Sequence, residues 1–177
     1  MVDVHKHRSE SPFWRFSLRF YARPNIAQAC LKLQDESGAD VNVLLFVLFL
    51  AEQGRRLSPE EVAQLDLAVS QWRDAVVKPL RGLRRELKLG VEFIPGTVSE
   101  TFRAQIKRLE LESEQIEQHR LEELAGAGLG TPAGNRLDSA TNNLAVYCAR
   151  LRGASADAIA VILRGFADFV PIEPPIP

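Results

Sequence analysis

Nine consecutive apolar residues, Val43 to Ala51, constrain this chain more than any other feature. A bilayer-spanning helix needs about 20 such residues, so the run reads as a buried core segment. It has no polar face, which is the pattern of a helix surrounded by other helices. Asp40 is a good N-cap in front of it and Gly54 a stop behind it. The expectation is an all-α, single-domain bundle of about six to seven helices packed around a central apolar helix at about 40–53. With 177 residues the chain is long enough to bury such a core without disulfides or metals.

Helix punctuation supports the same fold. Ser11-Pro12 offers an N-cap and an N1 proline before a run holding Phe13, Trp14, Phe16, Phe20 and Tyr21. Pro24 interrupts that helix. Ile26, Ala29, Cys30 and Leu33 then follow amphipathic spacing up to Gly38. Ser58-Pro59-Glu60-Glu61 is a complete capping box. The helix it starts carries Val62, Leu65, Val69, Trp72 and Val76 and should kink or divide at Pro79. Residues 91–97 form a loop or short extended passage. From about Ser99 a long helix runs toward Ala125, with Phe102, Ile106, Leu109, Ile116 and Leu124 as an imperfect apolar stripe. Two more helices are expected, at 138–151 and after Ser155. Residues 1–10 are expected to be disordered, 126–135 to form a Gly/Pro-rich loop, and 170–177 an extended tail.

Charge and cysteines exclude several classes. Lys and Arg total 22 against 23 Asp and Glu, so no global field favours nucleic acid or anionic membrane. Cys30 and Cys148 follow no metal-ligand spacing and fit small core residues of a reduced, cytoplasmic protein. The N-terminus lacks the apolar stretch of a secretory signal. His5 and His7 make no metal site by themselves, and no metal or other cofactor is expected. The GxGxG at Gly126, Gly128 and Gly130 follows a helix, lacks the Walker lysine, and belongs to no βαβ unit.

Three polar clusters stand out. Gln34, Asp35, Asp40 and Asn42 crowd the entrance of the central helix, where they either cap helix ends or bind a ligand or cation. Arg81, Arg84, Arg85 and Lys88 share one helical face with Lys78 nearby, and phosphate contact there is conceivable. Aromatic interleaving for base stacking is missing. The following helix holds Glu110, Glu112, Glu114, Glu117, Glu122 and Glu123, so the two segments would fit each other as a helical hairpin. In the third cluster, Asn142-Asn143 with Tyr147, Asp138 and Arg150, a mid-helix amide calls for a specific hydrogen-bond partner. No nucleophile–base set can be proposed.

The block FWRFSLRFYARPNIAQACLKLQDESGADVNVLLFVLFLA resembles a family of small bacterial proteins grouped as a conserved domain of unknown function. The resemblance rests on Phe13-Trp14, the FSLxFY of Phe16 to Tyr21, Pro24, CLxLQD at Cys30 to Asp35, Gly38, and DVNxLLF at Asp40 to Phe46. NNLAVY at Asn142 to Tyr147 is similar to the family's C-terminal helix, while 110–135 shows no likeness. The resemblance implies a bacterial, cytoplasmic origin and supplies no activity.

The leading functional expectation is a non-enzymatic interaction or adaptor protein that docks another protein through Phe13, Trp14, Phe20 and Tyr21. The alternative is an enzyme or small-molecule binder with an inter-helical pocket lined by Trp14, Tyr21 and Phe46 and made polar by Gln34, Asp35, Asp40 and Asn42. Nucleic-acid binding through 78–88 is a weaker third reading. Oligomeric state is not legible in the sequence.

Overall fold

The computed structural model of the chain describes residues 11–90, 92–126 and 128–170. The expectations for 1–10, with His5 and His7, and for the tail beyond Val170 lie outside these residues. The helices are α1 (Pro12–Tyr21), α2 (Ile26–Ser37), α3 (Val41–Glu52), α4 (Pro59–Trp72), α5 (Lys78–Lys88), α6 (Gly96–Ala125), α7 (Arg136–Cys148) and α8 (Ala156–Ala167). Arg73–Val77 is a π-helical turn that joins α4 to α5. Counting that run as one, the described residues hold seven helices, and the chain is an all-α single-domain bundle. No helix in it is long and apolar enough to cross a membrane.

The apolar run lies where its composition requires. Every residue from Val43 to Ala51 is buried, and α3 packs against α1, α2, α4, α6 and α7. Each large side chain so enclosed contributes roughly 1.5–3 kcal/mol of transfer free energy. Phe13 meets Phe46 edge-on at 4.8 Å between ring centroids, and Phe16 and Phe13 reach Phe49 at 5.5 and 5.3 Å. α8 closes the far side, where Phe166 and Phe169 pack on Phe20.

Caps set the boundaries. The Ser11 hydroxyl accepts the Trp14 N–H at 2.9 Å. Gly38 ends α2 in the left-handed region at φ 72°. Ser58 and Glu61 complete both halves of the capping box, at 2.8 and 3.2 Å. The division expected at Pro79 takes the form of the π turn just before it, which separates α4 from α5 within one continuous helical run. Pro79 has no N–H to give the carbonyl four residues back, and the preceding turn has widened so that the Lys78 N–H reaches Arg73 O five residues back.

α5 and α6 form an antiparallel hairpin. The 30-residue α6 is about 45 Å long. Its expected apolar stripe is only partly inward: Ile106 is buried, yet Phe102 and Leu109 are about half exposed. The buried face carries Glu110, Ser113, Glu117 and Leu121 instead. Beyond Ile106 the hairpin reaches away from the core to a turn where Leu89 and Phe93 are almost fully exposed.

A two-residue ribbon ties the base of this excursion. Arg55–Arg56 pairs antiparallel with Thr131–Pro132, so part of the Gly/Pro-rich loop is a short strand. Gly130 is required there: at φ 74°, a Cβ would lie 3.1 Å from Arg56 O. Asn143 holds the ribbon from α7. Its carbonyl accepts the Leu57 N–H at 2.8 Å, and its amide donates to Val47 O and Arg55 O, both at 3.0 Å. Asn142 donates to Leu57 O at 3.0 Å. The mid-helix asparagines thus have the specific partners their position demands.

Asn143→Ala would leave the buried Leu57 N–H without a partner and take a donor from Val47 O and Arg55 O. The expected loss is at least about 2 kcal/mol, read as a lower urea midpoint at unchanged slope. Asn142→Ala should cost clearly less. Equal effects of the two substitutions would refute this account of the ribbon.

Candidate functional site

A cleft of about 500 Å³ opens where the α5–α6 hairpin meets the bundle. Its bundle wall comes from Trp14, Leu18 and Tyr21 on α1, Leu31 and Gln34 on α2, and Val41 and Leu45 on α3. Arg81 and Arg84 on α5, with Lys107, Glu110, Leu111 and Glu114 on α6, form the facing wall. Helical spacing explains the assignment: on α1, Trp14, Ser17, Leu18 and Tyr21 share the face beside the core-facing Phe13, Phe16 and Phe20.

The floor is polar and closed on itself. The Ser17 hydroxyl donates to Gln118 Oε1 at 3.2 Å, and the Gln118 amide donates to Asn42 Oδ1 at 2.8 Å. The Asn42 amide in turn donates to Glu117 Oε2 at 3.2 Å. All four residues are buried. The Tyr21 hydroxyl, half-buried at the edge of the cleft, makes no hydrogen bond to any described residue. Burial, with smaller contributions from Cys30 and Glu114, pushes its pKa up to about 12, so it is a neutral donor.

Asp40 lies behind this floor. Its Oδ1 caps α3 by accepting the N–H of Asn42 at 2.8 Å and of Val43 at 3.4 Å. Its Oδ2 takes Arg73 Nη1 at 2.9 Å, and the same nitrogen reaches Asp66 at 2.7 Å. Its own peptide N–H donates to the Tyr147 hydroxyl at 2.7 Å, which donates back to Asp40 O at 3.1 Å. Burial works against the Arg73 charge, but its hydrogen bonds to Asp66 and Asp40 outweigh that and raise its pKa.

Glu117 is the unusual group. It is fully buried, and its Oε1 has no hydrogen-bond partner as a carboxylate. Burial, then the charge of Asp40 and a side-chain hydrogen bond to it, push its pKa far above the carboxylate range. The amide of Asn42 and the charge of Arg73 oppose this only in part. A proton on Glu117 satisfies both facts, because the neutral acid donates to the Asp40 carboxylate while still accepting from Asn42.

The structure divides the expected site residues between two cavities. Trp14, Tyr21, Gln34, Asn42, Arg81 and Arg84 line the cleft. Asp35, Asp40 and Arg85, again with Gln34 and Arg81, line a neighbouring recess of about 220 Å³. Lys88 lines neither cavity. Phe46 is in the closed core and not in the cleft. Phe13, Trp14 and Phe20 are buried, so they form no docking surface. Asp35 is paired with Arg85 at 2.7 Å, whose hydrogen bond lowers its pKa. No described cluster of metal-type ligands gathers here. Arg81 pairs with Glu110 at 3.2 Å and Glu114 at 2.9 Å, and Arg84 also pairs with Glu110. The basic segment is therefore half of a complementary hairpin. Ser17, Arg73, Lys107, Glu117 and Gln118 were not singled out from sequence for this site. The available signal was the row Ile106, Glu110, Ser113, Glu117 and Leu121, which puts polar residues on the same face as two buried apolar ones.

Because folding raises its pKa, Glu117 contributes stability that is fully present below its ordinary value of 4.5 and lost as pH rises toward the folded value. Unfolding free energy should fall between about pH 5 and 9, by at most about 1.4 kcal/mol per pH unit from this group. Glu117→Gln keeps both hydrogen bonds without a titrating proton, so denaturant titrations at stepped pH should show a flatter profile. An unchanged slope would assign the pH dependence elsewhere. Asp40→Ala removes a cap and one carboxylate of a buried pair, so it should cost more than the roughly 0.5–2 kcal/mol of a cap alone.

No curated protein and no solved structure matches the chain. The family described as "Protein of unknown function (DUF2390)" matches residues 12–121. That stretch contains α1 to α5, most of α6 and every residue named above as lining the cleft, and it runs past position 110, where the sequence had shown no likeness. Covering well over half of the sequence, the match shows that the chain belongs to this family.

Proposed function

We propose that the protein binds a small amphipathic molecule in the cleft between the α5–α6 hairpin and the bundle. One observation carries this reading: an open, largely apolar cleft has a buried amide and hydroxyl floor and a tyrosine hydroxyl with no partner among the described residues. Ligand sites commonly combine these properties, with apolar walls for affinity and a few fixed polar groups for orientation. The floor is already hydrogen-bonded, so the site is preformed and little ordering opposes binding. Among the described residues no arrangement of nucleophile and base accompanies it, and the reading is of binding without chemistry.

A second reading, an interaction or adaptor role, is favoured by the hairpin turn, where Leu89 is 88% and Phe93 92% exposed. Large apolar side chains this exposed at a projecting turn offer anchors to another chain.

Nile red, an uncharged apolar dye, should bind the full chain at one site with enhanced emission. Leu31→Trp would fill the cleft from its exposed edge and should abolish the signal with the circular dichroism spectrum unchanged. Absent binding, or binding indifferent to Leu31→Trp, would overturn the cleft reading. For the adaptor role, Phe93→Asp should strip co-purifying partner chains from the folded protein, and an unchanged set would end that reading.

A further inference from the structure

We infer that the cleft's ligand is an amphipathic monoanion: a single carboxylate-type head on an apolar chain or ring, with the head at Lys107 and the body along Trp14, Leu18 and Leu31. This rests on the cleft reading above and names the chemistry of its occupant.

Charge is the first argument. The hairpin wall of the cleft carries Arg81, Arg84 and Lys107 against Glu110 and Glu114. The arginines and glutamates neutralise one another in a compact cluster. Lys107, exposed one helical turn from Glu110 and Leu111, forms no ion pair with any described residue. One positive charge is left over. An anionic head would neutralise it, a cationic head would be repelled, and an uncharged head would gain nothing from it.

Hydrogen-bond capacity is the second. Arg81 uses Nε and Nη2 on Glu110 and Glu114, and Arg84 uses Nε and Nη2 on Glu110, so each keeps Nη1. Glu110 accepts three of these bonds, and its capacity is largely spent. Ser17, Gln118 and Asn42 serve one another. Set against two unused acceptors, Glu114 Oε2 and Gln34 Oε1, the residues lining the cleft keep an excess of donors: two Nη1 groups, the Lys107 ammonium and the Tyr21 hydroxyl. A carboxylate is acceptor-only and matches that excess.

The apolar half is the third. Leu18, Leu31 and Leu111 are 53%, 41% and 47% exposed, and all three border this one cleft beside the well-buried Trp14. Three leucines around a single opening form apolar surface that a ligand's hydrocarbon would cover.

Three ten-carbon probes differing only in the head group test this: decanoate, decanol and decylamine, titrated calorimetrically into the full chain. Decanoate should bind most tightly, by at least about fivefold over decanol, and its affinity should weaken with added salt. Lys107 is exposed, so Lys107→Glu should fold normally, weaken decanoate by at least about fivefold, leave decanol unchanged and improve decylamine. Equal binding of decanoate and decanol, or no effect of Lys107→Glu on decanoate, would overturn the anion inference and leave the cleft reading standing if Nile red still binds. No binding of any probe, Nile red included, would overturn both.

Discussion

The fold depends on one contact, the buried Asp40 carboxylate on the half-buried Arg73. It joins the first turn of α3 to the π-helical turn after α4, and Asp66 on α4 shares the same guanidinium nitrogen. Two charges removed from water cost several kcal/mol each unless geometry and further hydrogen bonds compensate. Here the compensation is local: Asp40 Oδ1 accepts two backbone N–H groups, and Asp66 supplies Arg73 with a second carboxylate. The same aspartate is both cap and counter-ion. Moving it would disturb the start of the central helix and leave the half-buried Arg73 to Asp66 together.

The π turn explains how Arg73 gets there. A proline at position 79 denies its helix one N–H and crowds the carbonyl four residues earlier. Widening the turn by one residue relieves both problems without breaking the rod. The extra residue also changes which side chains face the core on either side. Trp72 donates to Ser113 O at 3.0 Å and Arg73 turns to Asp40, while α5 presents Arg81 and Arg84 to Glu110. The packing of the hairpin and the shape of the cleft thus follow from where the chain places this proline.

What was legible in the sequence was chiefly local. Ser58 with Glu61, Asp40 before the apolar run and Gly38 in the left-handed region all announce helix ends through chemistry that acts within four residues. Asn143 was legible as well, since an amide in mid-helix implies a partner. The failures share a different cause. The aromatics of α1 looked like a surface, but α3 and α8 cover Phe13 and Phe20, and no short-range rule shows that. Phe46 sits too deep to reach the cleft because α3 is enclosed on all sides. On α6 the sequence offered an apolar stripe, yet tertiary packing turned a polar row inward, since Arg81, Arg84 and Asn42 were there to satisfy it. Glu117 belongs to that class. Its pKa is raised first by burial and then by a carboxylate 77 positions away in the chain, and spacing carries no trace of either.

The two residues on α7 that reach back into the bundle lie beyond position 121, where the family match ends. Tyr147 closes a two-way hydrogen bond on the peptide of Asp40, and Asn143 holds the ribbon at Leu57 and Arg55. α7 also lies along the central apolar helix. The shared segment is therefore not an autonomous folding unit: without α7, one flank of Val43 to Ala51 would face water. The hydroxyl of Tyr147 and the amide of Asn143 are the groups by which α7 fixes Asp40 and the ribbon. The cleft is thus built from residues 12–121, while the bracing of the helix behind it comes from beyond them.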